Sequence, residues 1–169
     1  MQKDYGLTMI REMQLSEIDE CVNVIKTAFL TVAEDHGFTA ENAPRFTAFA
    51  MNRARLQWQF SHEHRPMFVY LIDDKIVGYY SLSAPNEGET ELNNLSVLPE
   101  FRHNGIGEAM LKHAFAFAKA QACSAIHIGI VEENQTLRRW YEKFGFTHTG
   151  TQKFDFFPFT CGYMKKTLA

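Results

Sequence analysis

The spacing of apolar and polar residues along this chain predicts a mixture of strands and helices. Alternating or continuous apolar runs predict strands over 7–13, 67–73, 76–84, 89–98, 125–131, 146–154 and 160–166. Apolar residues at helical spacing predict helices that begin at Ser16 and Thr39, and helices over 104–121 and 134–144. The order is βααβββαβαββ. Its central strand–helix–strand unit implies a parallel pair, because a crossover needs about that much chain. The pattern is that of a mixed-sheet α/β domain.

Local signals predict where several elements end. Ser16 with Asp19 three residues later is a weak capping box, and Gly37 ends the helix that follows. The stretch 52–65 is rich in Arg, Gln and His, which favours a helix end followed by a loop. Gly78 lies inside a predicted strand, where it indicates a bulge or a close approach of another segment.

The strand over 89–98 changes phase partway along its length. Glu91 and Asn93 are polar at odd positions, whereas Leu95 and Val97 are apolar at odd positions. A slip of one residue is what a β-bulge produces, and a bulge would free backbone groups for a ligand. The alternative is that the two asparagines at 93 and 94 lie at a poorly covered edge of the sheet. The sequence leaves both interpretations open.

A glycine-rich turn follows this strand and opens a helix. Pro99 stops the ladder because it has no N–H, and the segment 102–107 reads Arg-His-Asn-Gly-Ile-Gly, with Asn104 as the predicted N-cap. A helix start leaves backbone N–H groups unpaired and carries partial positive charge, and glycines allow a close approach. Arg102 could add a bidentate contact. The turn therefore predicts an anion site, most readily for phosphate. The alternative is a tight turn whose glycines only allow packing.

Composition narrows the class of protein. The chain has 169 residues, of which 46% are hydrophobic and 22% charged, with a net charge of −3, and we expect one domain over residues 1–169. Without a strongly basic field, nucleic acid is not an expected partner. No apolar run approaches the roughly 20 residues of a membrane span. The three cysteines lack paired spacing and the histidines lack nearby ligands, which favours a reduced cytoplasm and no metal site.

Two segments resemble a known family. Arg-x-x-Gly-x-Gly at 102–107, after a strand ending in Val-Leu-Pro, resembles the pyrophosphate-binding signature of the GNAT superfamily of N-acetyltransferases. The segment 134–146 resembles that family's Asn-x(6)-Tyr-x(3)-Gly-Phe helix. The resemblance covers roughly residues 7 to 166. It implies a GNAT-type fold, in which helices flank a mixed, mostly antiparallel sheet with a parallel βαβ core. It also implies acetyl-CoA-dependent acetyl transfer to a primary amine of a small molecule or a protein.

The resemblance also implies roles for individual residues. The strand would pair with the pantetheine arm and the turn would surround the pyrophosphate, mainly through backbone groups, at Leu95, Ser96, Val97, Arg102, His103, Asn104, Gly105, Ile106 and Gly107. Asn134 would bond the pantetheine or cap its helix. Tyr141 would lie near the thioester sulfur and protonate the leaving thiolate, unless it is simply a core tyrosine. Glu91 would be the general base, directly or through a water, unless it is a solvated strand carboxylate.

The acceptor site is expected where two loops meet, the loop after the first helix and the loop between the last strands. These loops supply acidic and aromatic side chains at Glu34, Asp35, His36, Phe154, Phe156, Phe157 and Phe159. Such a set suits a cationic amine, but the phenylalanines could instead be core residues or the contact of a homodimer. Two other functions stay open: a non-catalytic acyl-CoA sensor, and an enzyme for a different phosphate ligand such as a nucleotide.

Overall fold

The computed structural model describes residues 4–169 and is built around a seven-stranded sheet. The strands are β1 Thr8–Glu12, β2 Met67–Ile72, β3 Lys75–Ser83, β4 Glu89–Val97, β5 Ala125–Val131, β6 Thr147–Lys153 and β7 Thr160–Thr167. The helices are α1 Ile18–His36, α2 Thr47–Ala50, α3 Arg53–Ser61, α4 Ile106–Ala120 and α5 Gln135–Lys143. None of the helices among these residues is long and apolar enough to cross a membrane.

The sheet order is β1-β2-β3-β4-β5-β7-β6, and within the described residues only β4 and β5 pair in parallel. This confirms the predicted mixed sheet with a β4–α4–β5 crossover at its centre. Seven strands could be arranged in many orders. The parallel pairing of β4 with β5 places the junction between the carboxyl end of β4 and the start of α4 inside the sheet rather than at its edge. That junction holds the glycine-rich turn.

The two long helices cover opposite faces of β3. The Tyr80 hydroxyl lies 2.6 Å from His113 Nδ1 on α4. A Cβ added at Gly78 would lie only 2.8 Å from the Met110 side chain of α4. The close approach predicted at Gly78 is therefore confirmed. Successive strand residues point to opposite faces, so Tyr79 points away from α4 and toward the face on which α1 packs.

The first connection differs from the prediction. Arg53–Ser61 forms a helix of its own that ends in a loop over 62–66, so the helix end and loop predicted over 52–65 are correct in part, and the helical portion is longer than predicted. Asn52 caps α3, because its side chain accepts a hydrogen bond from the Arg55 N–H at 2.9 Å. Only Leu56 and Gln59 of this helix are buried. A helix with so few apolar positions leaves a weak periodic signal in the sequence.

Two predicted helix starts are wrong. Thr39 begins no helix. It forms a turn with Asn42, in which each side chain accepts a hydrogen bond from the other's backbone N–H. The capping box predicted at Ser16 is absent. The Glu17 carboxylate instead accepts from the Gln14 N–H at 2.8 Å, and α1 begins at Ile18. The predicted end of α1 is confirmed, since Gly37 follows it with φ of 72°.

Candidate functional site

The predicted bulge lies in the middle of β4. The pairing of β3 with β4 shifts between Tyr79 and Ser81, so β4 carries an extra residue at this point. Asn94 has a left-handed φ of 54°, and its carbonyl accepts a hydrogen bond from Ser96 Oγ at 2.8 Å. The bulge is therefore confirmed. The edge interpretation is met in part as well, because Asn93 and Asn94 lie beyond the last position at which β4 pairs with β5.

The strands β4 and β5 separate beyond this point. They pair only where Glu89–Glu91 lies beside Ala125–His127, although β4 continues to Val97 and β5 to Val131. Among residues 4–169, the β5-facing backbone of the second half of β4 consequently has no strand partner. A cleft of this kind exposes strand N–H and C=O groups, which an extended ligand can pair with in place of a strand.

The glycine-rich turn presents backbone donors beside the cleft. The helix α4 begins at Ile106, and its N-cap is Gly105 with φ of 81°, so the N-cap predicted at Asn104 is wrong. The Asn104 amide instead donates to a backbone carbonyl of the same turn, that of Arg102, at 2.7 Å. No hydrogen bond among residues 4–169 uses the N–H groups of Gly105, Ile106 or Gly107. These donors lie at the positive end of a fifteen-residue helix, as an anion site requires.

The Arg102 side chain points to α1. Its guanidinium donates to Thr31 Oγ1 at 2.9 Å, to the Ala28 carbonyl at 3.0 Å and to the Val97 carbonyl at 3.3 Å. Burial lowers the pKa of this group, while the charge of Asp35 opposes that shift. Each of the three guanidinium nitrogens donates one of these bonds, so three of its five N–H groups are used within the fold. The bidentate phosphate contact stays a prediction.

The second half of α5 lies near the start of α4. A Cβ added at Gly107 would be 3.5 Å from the Trp140 ring, an ordinary contact distance. Asn134 caps α5 by accepting a hydrogen bond from the Leu137 N–H at 3.2 Å. The capping role predicted for Asn134 is therefore confirmed, and its contact with pantetheine stays a prediction. The glycine predicted to follow this helix, Gly145, has φ of 94°.

Tyr141 lies on the inner face of α5. Its side chain is 6% exposed and its ring meets that of Phe146 edge-on, with centroids 5.3 Å apart. Burial raises the pKa of its hydroxyl, so the group keeps its proton at neutral pH. Tyr141 is a member of the hydrophobic core, as the alternative interpretation requires. Its approach to a thioester sulfur stays a prediction.

Glu91 faces a small pocket at the mouth of the cleft. Its side chain is half-buried, and burial raises its pKa against the opposing charges of Arg65 and His127. The pocket has a volume of about 190 Å³ and is lined by Pro85, Asn86, Glu91, His127, Ile128 and Tyr163. A half-buried carboxyl with a raised pKa takes up protons more readily than a solvated one, as a general base must.

Sequence reasoning missed a polar cluster on the same face of the sheet. Glu89 Oε2 lies 2.6 Å from His127 Nε2, and Glu89 Oε1 lies 3.2 Å from Lys165 Nζ. These partners lower the pKa of Glu89. The residues come from β4, β5 and β7, so only the register of the sheet brings them together. Among residues 4–169, no group of His, Cys, Asp and Glu side chains is arranged to hold a metal ion.

The two loops predicted to line the acceptor site pack against each other. Phe159 is 6% exposed, with its ring 4.8 Å from that of Phe38 and 5.7 Å from that of Phe46. The core interpretation is therefore correct for Phe159. Phe156 is 40% exposed, and the Arg45 guanidinium lies 4.2 Å above its ring. The segment between β6 and β7, residues 154–159, is called the aromatic connection below. It combines a buried core residue, Phe159, with an exposed ring, that of Phe156.

Comparison with known proteins agrees with this geometry. Residues 27–146 match the model of the acetyltransferase (GNAT) family. An uncharacterized N-acetyltransferase of Mycobacterium bovis is 26% identical over 140 residues, covering 83% of this chain and 89% of that protein. The PaiA N-acetyltransferase of Thermoplasma acidophilum, solved in complex with coenzyme A, is 16% identical with a TM-score of 0.83 over 96% of this chain and 99% of that one. The ribosomal-protein-S18-alanine N-acetyltransferase of Escherichia coli is 13% identical with a TM-score of 0.77 over 96% and 95%.

Proposed function

Because the chain belongs to the acetyltransferase (GNAT) family, we propose that it is an enzyme that moves an acetyl group from acetyl-CoA to a primary amine. The observation that carries the proposal is the cleft between β4 and β5, which opens beside unused N–H groups at the start of α4. Strand backbone can pair with the amides of a pantetheine arm, and a helix start can hold a pyrophosphate. The fit of both features to one ligand supports coenzyme A.

We assign acetyl-CoA binding mainly to the backbone. The Ser96 hydroxyl is buried and already bonded inside the bulge, so the proposed contacts of Leu95, Ser96 and Val97 use main-chain groups. Around the pyrophosphate we assign the backbone from Arg102 to Gly107, with the Arg102 side chain holding the turn against α1. Asn134 is assigned to the pantetheine through atoms that its cap leaves available.

The proposed chemistry uses two side chains and the bulge. Glu91 takes a proton from the acceptor ammonium, so that the neutral amine can attack the thioester carbonyl and form the amide bond. Backbone N–H groups near the bulge polarise that carbonyl. As the carbon–sulfur bond breaks, the Tyr141 hydroxyl donates its proton to the leaving sulfur, and the second proton that the nitrogen loses on becoming an amide restores the hydroxyl. Burial of Tyr141 keeps the proton on its oxygen at neutral pH, so the hydroxyl is present as a donor when the sulfur leaves.

The acceptor is a primary amine of a small molecule or a protein. The pocket at Glu91 combines a carboxyl with the aromatic ring of Tyr163, which suits the cationic form in which an alkyl amine arrives. Two further parts of the proposal rest on the sequence: the protein works in the cytoplasm, and it forms a homodimer through the aromatic connection. The exposed ring of Phe156 supports the dimer, and light scattering in solution tests it.

The experiment that tests the function is thiol release from acetyl-CoA against a panel of acceptors. The panel contains polyamines, amino acids, aminoglycosides and short peptides with free N-termini, and calorimetry measures acetyl-CoA binding in parallel. We expect thiol release with one class of acceptor. Binding of acetyl-CoA without release across the panel would favour the sensor function. Displacement of coenzyme A by ATP or NAD would favour a different phosphate ligand.

A further inference from the structure

The pocket at the mouth of the cleft contains a second side chain that can accept a proton, His127, next to Glu91. Glu91 and His127 form the last paired position before β4 and β5 separate. Neighbouring strands lie about 4.8 Å apart, and register partners project from the same face of the sheet. Both side chains line the same pocket of about 190 Å³. A carboxyl and an imidazole therefore meet where the acceptor amine is proposed to enter.

The hydrogen bonds of Glu89 fix the state of the imidazole. Its carboxylate lies 2.6 Å from His127 Nε2 and 3.2 Å from Lys165 Nζ, and these partners lower the pKa of Glu89. An ionised carboxylate only accepts hydrogen bonds, so Nε2 carries the proton. In the neutral ring, Nδ1 then has a free lone pair, and no residue among 4–169 donates a hydrogen bond to it.

We propose that His127, oriented by Glu89, accepts the proton that Glu91 removes from the acceptor ammonium and releases it to solvent. This inference rests on the proposed function. In each turnover the ammonium N–H bond breaks, the proton moves from Glu91 to His127 Nδ1, and the imidazolium is stabilised by the Glu89 carboxylate. Water at the pocket mouth then takes the proton and restores both groups. Glu89 is a positioning residue in this scheme.

The groups that face His127 are consistent with this role. Glu89 and Glu91 on β4 attract an imidazolium, and Lys165 on β7 lies against Glu89 and offsets part of that attraction. Tyr163, on β7, is the remaining titratable group of the pocket, and burial raises its pKa. The carboxylates of Glu89 and Glu91 therefore lie on the same face of the sheet as the ring that is proposed to receive the proton.

The chain offers a matched control for a histidine variant. His148 on β6 also pairs through Nε2 with a glutamate, Glu132, at 2.9 Å. The two histidine side chains have similar exposure, 28% for His127 and 22% for His148. His148 does not line the pocket. The same substitution at both positions therefore removes a similar hydrogen bond to a glutamate but affects only one proposed proton acceptor.

The test compares H127N, E89Q and H148N in steady-state acetyl transfer as a function of pH. For H127N at pH 7 we expect kcat/KM for the acceptor to fall about 100-fold, the lower end of the range for positioned acid–base groups. The KM for acetyl-CoA should not change. The deficit should shrink as the pH approaches about 10, because a growing fraction of an alkyl amine, whose pKa is about 10.4, is then neutral in solution. E89Q should show the same trend with a smaller loss, and H148N should match the wild type.

A deficit of equal size at every pH, or an equal loss in H148N, would overturn the proposal, because a structural defect acts in that way.

The second measurement needs no acceptor, so it separates this inference from the proposed function. Nitrogen-15 NMR of the histidine rings should find His127 protonated on Nε2 near pH 8, and E91Q should shift its titration midpoint. A His127 ring protonated on Nδ1, or a titration midpoint that E91Q leaves unchanged, would overturn the proposed proton transfer from Glu91 to His127. This outcome can be read even if no amine on the panel is acetylated.

Discussion

Replacing Arg102 by methionine tests whether the arginine of the glycine-rich signature binds phosphate or supports the fold. Its guanidinium donates to the Thr31 hydroxyl and to the carbonyls of Ala28 and Val97. Hydrogen bonds from a charged group contribute about 1.5–3 kcal/mol each, although desolvation of the guanidinium offsets part of this sum. We therefore expect R102M to lower the free energy of unfolding by about 2–4 kcal/mol.

The assay is thermal unfolding of the free protein, followed by titration with acetyl-CoA. For a chain of this size, each kcal/mol moves the thermal midpoint by about 2–4 °C, so the expected fall is about 5–15 °C. R102K keeps the charge but not the planar fork, and it should recover only part of the loss. The exposed Arg139 supplies the control, because R139M should leave the midpoint unchanged. An unchanged midpoint in R102M, combined with a tenfold or larger loss of acetyl-CoA affinity, would refute this reasoning.

Three other substitutions test separate parts of the site. Gly105 has φ of 81°, so G105A should lower the free energy of unfolding by about 1 kcal/mol and weaken acetyl-CoA binding measured by calorimetry. The control is G150A, which should do neither, because an added Cβ there meets no atom within 4 Å. Y141F should lower kcat about 100-fold or more with acetyl-CoA affinity retained, and Y70F is its control; equal turnover in Y141F would leave the tyrosine a core residue. Burial raises the pKa of Glu91 in the folded state, so folding favours its protonated form and the stability this gives is lost as pH rises above the unfolded pKa. E91Q should therefore unfold at a higher temperature than the wild type at pH 7 but not at pH 4, while its acceptor kcat/KM falls; a lower midpoint at pH 7 would contradict the assigned burial.

The part of the site made by backbone was largely predictable from the sequence. A bulge disturbs the alternation of polar and apolar positions, and the phase change in the strand over 89–98 revealed it. A helix that begins after a glycine-rich turn needs residues with special φ values, and Gly105 meets that need. The capping residue itself was misassigned, because Asn104 and Gly105 are both good N-cap residues and only the dihedral angles separate them.

The part made by side chains was not predictable in the same way. Glu89, His127 and Lys165 lie on three strands, and one residue of slip in either pairing would separate them. The direction of the Arg102 side chain depends on where α1 packs, a tertiary contact 71 residues away in the chain. The length of helix α3 was underestimated for a related reason, since its stability comes from burying Leu56 and Gln59 rather than from a periodic apolar face.

The difference between the backbone part and the side-chain part of the site explains why the acetyl donor is easier to infer from the sequence than the acceptor. Coenzyme A is proposed to bind to N–H groups and strand edges, which depend on φ angles and caps and therefore leave glycine, proline and asparagine signals in the sequence. The acceptor is proposed to meet Glu91, His127 and Tyr163, whose chemistry can change with a single substitution while the backbone stays the same. Substitutions in this pocket should consequently change which amine is acetylated and leave the affinity for acetyl-CoA intact. Substitutions in the glycine-rich turn should weaken acetyl-CoA binding for every acceptor alike, so measuring both constants across the two sets of variants separates the two halves of the site.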